Sequence, residues 1–163
     1  MVALAAQHLN RHRIRQMDFK QSSPPFLPAI PGGYLVHLLP LVLGELDELK
    51  RSGRNQELRE AAQRANRRLK GIRGRGGLGE LKVAGTASLL FEHVEPRADN
   101  LPTWLDLDVL DDRFVASTLL IQSAHPASKV YAVTSDINLQ TKLVAIGLPF
   151  IDPDEFDGER VEN

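Results

Sequence analysis

Acidic side chains occur in three segments where a helix or strand is predicted to begin or end. Glu45 lies in Leu-Gly-Glu-Leu-Asp-Glu-Leu (43–49), Asp111 and Asp112 precede Arg-Phe-Val-Ala (113–116), and Asp136 follows the apolar run at 130–133. Carboxylate oxygens are the ligands that Mg²⁺ and Mn²⁺ prefer, and several of them brought together suit metal-assisted attack on a phosphodiester. These residue types at this spacing therefore predict a divalent-metal site.

Alternating strands and helices are predicted to position these acids. The apolar run at 34–39 predicts a buried strand, and Pro40 suits the first turn of the helix that follows. Further strands are predicted at 88–94, 130–133 and 150–151. Further helices are predicted at 59–72, from Asp111 or Asp112 as N-cap to about residue 125, and at 139–146. This alternation predicts a mainly parallel sheet, in which ligands bind outside the carboxyl ends of the strands.

Length and composition predict one globular domain. The chain has 163 residues, is 42% hydrophobic and contains no cysteine, which excludes disulfides and thiolate metal sites. We expect the domain at 34–151, after a poorly defined segment at 1–33 in which residues 2–6 are a candidate degenerate first strand, and before an acidic tail at 152–163 predicted to be disordered. His37 and Pro40 interrupt the strongest apolar run, so we expect a cytoplasmic protein without a membrane span. His37 itself is predicted to be a satisfied core residue.

Positive charge is concentrated in one part of the chain. The net charge is −1, yet residues 50–75 hold ten cationic and two acidic residues, a balance of +8. Since a phosphate backbone binds cationic surfaces without regard to sequence, this segment predicts a nucleic-acid contact beside an acidic centre. A solvated helix face is the alternative interpretation.

With these residues placed, the chain resembles the PIN-domain family. The segment around Glu45 resembles the second acidic segment of that family, Leu-Asp-Asp-Arg-Phe-Val-Ala-Ser (110–117) resembles the third, and Val-Tyr-Ala-Val-Thr-Ser-Asp-Ile-Asn-Leu (130–139) resembles the fourth. The resemblance implies a three-layer α/β/α sandwich with a mainly parallel central sheet. It also implies a metal-dependent endoribonuclease that hydrolyses single-stranded RNA, in some relatives the toxin of a toxin–antitoxin pair with an inhibitory protein, and a possible homo-oligomer.

The resemblance assigns roles to particular residues. Glu45, Asp136 and one or both of Asp111 and Asp112 would hold Mg²⁺ or Mn²⁺, with Asp112 preferred because Val115-Ala116 follows it as in a site helix. The hydroxyl groups of Thr134 and Ser135 would orient ligand or water. The residues expected to contact RNA are Arg67, Arg68, Lys70, Arg73, Arg75 and Arg113.

One departure from the family pattern leaves alternatives open. The first acid of the family ends an N-terminal strand, and here Ala5 or Ala6 occupies that place unless Met1 is not the natural start. A catalytically inactive module that binds RNA or a partner protein is therefore the second interpretation. A third is an unrelated doubly wound domain with a phospho-acceptor pocket, which requires a lysine after a late strand, whereas Lys142 lies in a predicted helix.

Overall fold

A single mixed sheet, four α-helices and one short 3₁₀ helix, Ala98–Asn100, make up the regular structure of the described part of the protein. The computed structural model describes residues 2–6, 33–76, 79–84, 87–93 and 95–155. The strands are β1 Val2–Ala6, β2 Tyr34–Leu38, β3 Leu81–Ala84, β4 Ala87–Phe91, β5 Lys129–Val133 and β6 Phe150–Ile151, and the helices are α1 Pro40–Ser52, α2 Gln56–Arg73, α3 Leu110–Ala124 and α4 Ile137–Ala145. The strand order is β3-β4-β2-β1-β5-β6.

All neighbouring strands except β3 and β4 run parallel. Ala3 aligns with Leu35 on β2 and with Val130 on β5, so β1 is central in the sheet. The parallel strands β1, β2, β4 and β5 therefore end on one side of the sheet, which we call the carboxyl edge. The predicted mainly parallel sheet is confirmed.

Helices cover both faces of this sheet. The connection from β2 through α1 and α2 leads toward β4, whereas the connections through α3 to β5 and through α4 to β6 lead the opposite way along the sheet. Because crossovers between parallel strands are right-handed, helices in connections of opposite direction lie on opposite faces. The predicted three-layer α/β/α sandwich is confirmed.

Local sequence signals start and stop the helices. Pro40 stands at the start of α1, and the Asn55 side chain caps α2 by accepting from the Leu58 N–H at 2.8 Å. Gly147, at φ 71°, lets the chain leave α4 while the Leu148 N–H donates to the Leu143 carbonyl oxygen at 3.0 Å. This is the C-terminal arrangement in which glycine takes the left-handed conformation.

The helices α1 and α2 form an antiparallel hairpin that begins and ends at the carboxyl edge. Helix α1 starts directly after β2, and the Asn66 amide of α2 donates to Asp47 Oδ1 of α1 at 3.1 Å. Strand β3 then runs away from that edge, with Leu81 opposite Leu89 and Ala84 opposite Ala87. The C-terminal end of α2 therefore lies at the same edge as the ends of the parallel strands.

The core lies between the sheet and its helices. Leu38, Phe114 and Leu139 are almost fully buried, and burial of each such side chain stabilises the fold by about 1.5–3 kcal/mol. His37 is also buried, with Nδ1 2.5 Å from Glu92 Oε1, but its Nε2 has no hydrogen-bond partner in the described part. The prediction of a satisfied core histidine thus holds for one ring nitrogen.

Two sequence expectations differ from the structure. The N-cap of α3 is Val109, and no side chain caps this end, so the prediction that Asp111 or Asp112 is the cap is wrong. Both acids instead lie in the first turn. Strand β3 was not expected because its Leu-Lys-Val-Ala sequence is short and directly follows a glycine-rich segment. Across the described ranges, no helix combines the length and apolarity that a bilayer span needs.

Candidate functional site

Lys142 joins α4 to the two aspartates at the start of α3. Its Nζ donates to Asp112 Oδ1 at 2.6 Å and lies 3.7 Å from Asp111 Oδ2. The residues in contact are separated by 30 positions in the chain. The acids of the third segment and the helix that follows the fourth segment therefore meet at the carboxyl edge, as their order in the fold requires.

Both carboxylate oxygens of Asp112 are held. Oδ1 accepts from Lys142, and Oδ2 accepts from the backbone N–H of Asp106 at 3.0 Å. Burial raises the pKa of the Asp112 carboxyl, but the hydrogen bonds from Lys142 and Asp106 and the charge of Lys142 outweigh burial and hold the pKa below its ordinary value. Asp112 is therefore a fixed, ionised carboxylate with its orientation set by two separate elements.

Lys142 is stabilised in its protonated, positively charged form. The hydrogen bond to Asp112 is the largest influence on the Lys142 ammonium, and with the charges of Asp112 and Asp111 it raises the pKa of Lys142 against the effect of burial. The ammonium thus neutralises part of the negative charge of the aspartate pair.

Asp136 caps α4 just beyond the end of β5. Its Oδ1 accepts from the N–H groups of Asn138 and Leu139 at 2.9 and 3.1 Å. Its own N–H donates to Thr134 Oγ1 at 3.1 Å, and Thr134 is fully buried. The Thr134 hydroxyl, predicted to orient a ligand, therefore positions the Asp136 backbone. Oδ1 of Asp136 serves as the N-cap acceptor of α4.

A second set of contacts fixes the turn that carries Asp136. Gln140 Nε2 donates to the Thr134 carbonyl oxygen at 3.0 Å and to Asp152 Oδ2 at 2.6 Å. Asp152, placed by the sequence at the start of the tail, thus ties the end of β6 to the turn after β5. Ser135, between Thr134 and Asp136, is half-buried.

The observed contacts join two of the predicted ligands, Asp111 and Asp112. Glu45 is half-buried in α1, on the opposite face of the sheet from α3 and α4. Within the described ranges, no group of three or more His, Cys, Asp or Glu side chains is arranged to hold a metal ion. The contacts of Lys142 bring Asp111 and Asp112 together, and this carboxylate pair is the part of the predicted ligand set that the contacts of Lys142 join.

The predicted RNA-contacting cations lie in two places. Arg67, Lys70, Arg73 and Arg75 are exposed along the C-terminal half of α2 and just beyond it, while Arg68 is half-buried. Arg113 lies in α3, where its Nε donates to the Leu107 carbonyl oxygen at 3.0 Å. The first group reaches the carboxyl edge through the α1–α2 hairpin, and Arg113 supports the loop before α3.

Sequence reasoning missed the role of Lys142, and one signal for it was available. The apolar stripe of α4 is formed by Leu139 and Leu143, and Lys142 is adjacent to Leu143 in sequence and one turn from Leu139. A lysine at the margin of a buried stripe extends along the neighbouring element, here the start of α3. The backbone N–H of Asp106, which holds the other oxygen of Asp112, has no such signal.

Comparison with known proteins identifies one family. The family model described as PIN domain matches residues 16–153. No curated protein matches the chain.

Proposed function

The chain belongs to the PIN-domain family, and on that premise we propose that it is a divalent-metal-dependent endoribonuclease acting on single-stranded RNA. PIN domains are nuclease-like, generally bind RNA and generally use divalent metal ions. The proposal assigns the cleavage site of this chain to the carboxyl edge, at Asp111, Asp112 and Asp136.

The observation that carries the proposal is the contact of Lys142 with the aspartate pair. It brings the start of α3 against α4, whose N-cap is Asp136, so that three of the proposed acids lie on two adjoining helices. The place is also the switch point of the sheet, because the chain leaves β1 toward β2 and leaves β5 toward β6. Ligands of open parallel sheets bind at such points.

The position of the cationic helix end supports RNA as the substrate. Arg67, Lys70, Arg73 and Arg75 approach the carboxyl edge at the β3–β4 side of the sheet, and the acids lie at the β1–β5 side. Strands β4, β2, β1 and β5 span three intervals of about 4.8 Å each, so the two regions are separated by a few nucleotides of an extended strand. Backbone phosphates would bind the cations while one phosphodiester lies at the acids.

The proposed ions, Mg²⁺ or Mn²⁺, fit these residues in part. The carboxylate pair offers the hard oxygen ligands that both ions prefer, whereas a third converging acid is not found among the described residues. When bound, such an ion lowers the pKa of a water molecule and neutralises charge on the phosphate. The chain itself contributes an Asp112 of fixed orientation and the ammonium of Lys142, a second positive charge beside the pair.

A specific observation favours a second candidate function, an RNA- or protein-binding module without cleavage. Strand β1 ends in Ala5 and Ala6, aligned with Ala132 and Val133 of β5, where the family pattern has its first acid. Lys142 already neutralises part of the charge of the aspartate pair at this edge. The two functions share the site and differ in whether bound RNA is cleaved.

Cleavage and metal binding measured together test the proposal. An unstructured RNA incubated with Mn²⁺ should be cut by the unmodified chain and at least about 100-fold more slowly by Asp112→Asn. Mn²⁺ binding, followed by electron paramagnetic resonance without RNA, should weaken in the same variant. The matched control is Asp108→Asn, which removes an exposed acid from the loop just before α3 and should leave both measurements unchanged.

Two other outcomes separate the candidates. RNA binding without cleavage, converted to cleavage by Ala5→Asp or Ala6→Asp, would establish the binding module with a disabled site. Equal Mn²⁺ binding and cleavage by Asp112→Asn and the unmodified chain would remove Asp112 from the site and with it the proposed centre.

A further inference from the structure

Of the large apolar side chains that are exposed in the described part, all but Val144 lie beside the proposed acids or in the loop that contacts Asp112. In the described part of the chain five large hydrophobic side chains are exposed, namely Trp104, Val109, Leu110, Ile137 and Val144. Val109 and Leu110 directly precede Asp111, and Ile137 directly follows Asp136. Exposed apolar groups scattered over a surface need no explanation, but a group of them around one site indicates a binding function.

Trp104 belongs to this group because its loop is tied to Asp112. The backbone N–H of Asp106 donates to Asp112 Oδ2 at 3.0 Å, and Trp104 is two residues earlier. The fixed spacing of the chain then places the Trp104 backbone within roughly 10 Å of that carboxylate. A phosphodiester at the acids would therefore have a neighbouring nucleoside within reach of the indole.

The loop holds Trp104 in place on both sides. The Leu105 N–H donates to the Pro102 carbonyl oxygen at 3.1 Å, which makes Trp104 a central residue of a tight turn, and Leu105 packs partly buried against the core. Arg113 Nε donates to the Leu107 carbonyl oxygen at 3.0 Å. The indole, 55% exposed, is thus carried by a loop whose backbone is fixed by hydrogen bonds, and a fixed backbone reduces the conformational entropy lost on binding.

The charge of the loop indicates which part of a nucleic acid would contact it. The segment 95–109 that carries Trp104 has four exposed acids, Glu95, Asp99, Asp106 and Asp108, against one cation, Arg97, so the loop does not favour phosphate. An uncharged nucleobase has no such conflict, and an indole face is a good stacking surface for any base. The phosphates of the same strand have the cationic end of α2 instead.

We propose that Trp104 is the stacking platform for an unpaired nucleobase next to the phosphodiester held at the acids. The inference rests on the proposed function and adds to it a subsite and a reason for single-strand preference. In a duplex the base faces are covered by their neighbours, so a base has to be unpaired to lie on the indole. Stacking is tolerant of base identity, so the platform selects strandedness and not sequence.

Trp104 is the only tryptophan of the chain, which makes its fluorescence a direct probe of this subsite. Oligouridylate and oligoadenylate would be titrated into the full chain with Ca²⁺ in place of Mn²⁺, because Ca²⁺ also takes carboxylate oxygen ligands. Fluorescence and the anisotropy of labelled RNA are recorded, and the RNA is checked to be intact after each titration. We expect quenching and anisotropy to give the same midpoint. An oligonucleotide of equal length without bases should bind more weakly and leave the fluorescence unchanged.

Three variants complete the test. Trp104→Ala should weaken RNA binding roughly 5- to 150-fold, the range expected for loss of one stacked base. Trp104→Phe keeps an aromatic ring and should bind within a few-fold of the unmodified chain. Val144→Ala removes an exposed apolar side chain about 12 Å further along α4 from Asp136 and should bind as the unmodified chain does.

The failure of the subsite and the failure of the proposed function give different results. If Trp104→Ala binds RNA as the unmodified chain does, and RNA leaves the fluorescence of the unmodified chain unaltered, the stacking platform is overturned while RNA remains the ligand. Quenching by an arginine-rich peptide and not by RNA overturns it in favour of a protein partner. If no variant and no oligonucleotide gives an anisotropy change, the RNA-directed function fails as well.

Discussion

Charged pairs in the α1–α2 hairpin and between α3 and α4 have similar distances but different surroundings. In α1, Lys50 Nζ lies 2.7 Å from Asp47 Oδ1, three residues away and with the Asp47 side chain 55% exposed. Between α3 and α4, Lys142 Nζ lies 2.6 Å from Asp112 Oδ1, 30 residues away and with the Asp112 side chain 12% exposed. The first pair lies within one helix and is exposed to solvent, and the second connects two helices.

The two pairs are therefore expected to contribute differently to stability. An exposed pair within one helix adds about 0–1 kcal/mol because water and salt screen it, and its loss leaves the helix in place. The Asp112 carboxylate, with both oxygens occupied, is partly removed from water, so loss of one partner leaves charge that solvent compensates poorly. The exposed cations of the hairpin are suited to binding a mobile polyanion, and the Lys142–Asp112 pair is suited to fixing the position of α3 against α4.

The largest expected effect tests this contrast through double-mutant cycles. The cycle of Lys142→Met and Asp112→Asn should give a coupling free energy of about 1–2 kcal/mol, reduced from the value for a fully buried pair because Lys142 is 36% exposed. The cycle of Lys50→Met and Asp47→Asn should give at most about 0.5 kcal/mol. Urea unfolding provides each free energy. Equal couplings in the two cycles would mean that the α3–α4 contact is only another surface pair.

A smaller effect is the pH dependence of the same pair. The pKa of Asp112 is lowered, so its contribution to stability is present above its ordinary value of 3.8 and is lost as the pH falls through the lower value of the folded protein. The pKa of Lys142 is raised, so its contribution is present below 10.5 and is lost as the pH rises through the higher folded value.

The stability difference between the unmodified chain and Lys142→Met should therefore be constant from about pH 5 to 9 and shrink outside that window. Unfolding free energies measured in a chelator across pH give this difference directly. At high salt, where the Debye length is about 3 Å, the α1 pair should lose its effect and the Lys142 pair should keep most of its own. A difference that instead grows below pH 4 would reverse the sign assigned to Asp112.

The sequence predicts what is local and leaves undetermined what is long-range. The alternation of elements, Pro40 at the start of α1 and Asp136 after β5 follow from neighbouring residues, and the structure has all three. The N-cap interpretation of the acid pair of α3 was wrong, because the carboxylate of Asp112 accepts from Lys142 and from the Asp106 N–H and not from its own helix. No periodicity encodes a contact across 30 residues.

The smallest expected effect concerns Asp136. Its contacts are local, like those of the Lys50–Asp47 pair, but it lies at the proposed site, like the Lys142–Asp112 pair. Its Oδ1 accepts from Asn138 and Leu139 N–H groups, an arrangement that asparagine reproduces and alanine does not. Asp136→Ala should therefore lower the free energy of unfolding by about 1 kcal/mol, and Asp136→Asn by only a few tenths. Thermal or urea unfolding of the two variants measures this.

The same two variants distinguish a helix-capping role of Asp136 from a role in RNA cleavage. If the Asp136 carboxylate takes part in cleavage, both variants lose activity to a similar extent although only the alanine variant is less stable. If Asp136 is a cap and nothing more, Asp136→Asn keeps the activity of the unmodified chain, and Asp136→Ala loses activity only in proportion to the protein that unfolds. Asp136, three residues beyond the end of β5 and at the N-cap of α4, serves both purposes in the proposed site, and asparagine removes the carboxylate charge while keeping the cap.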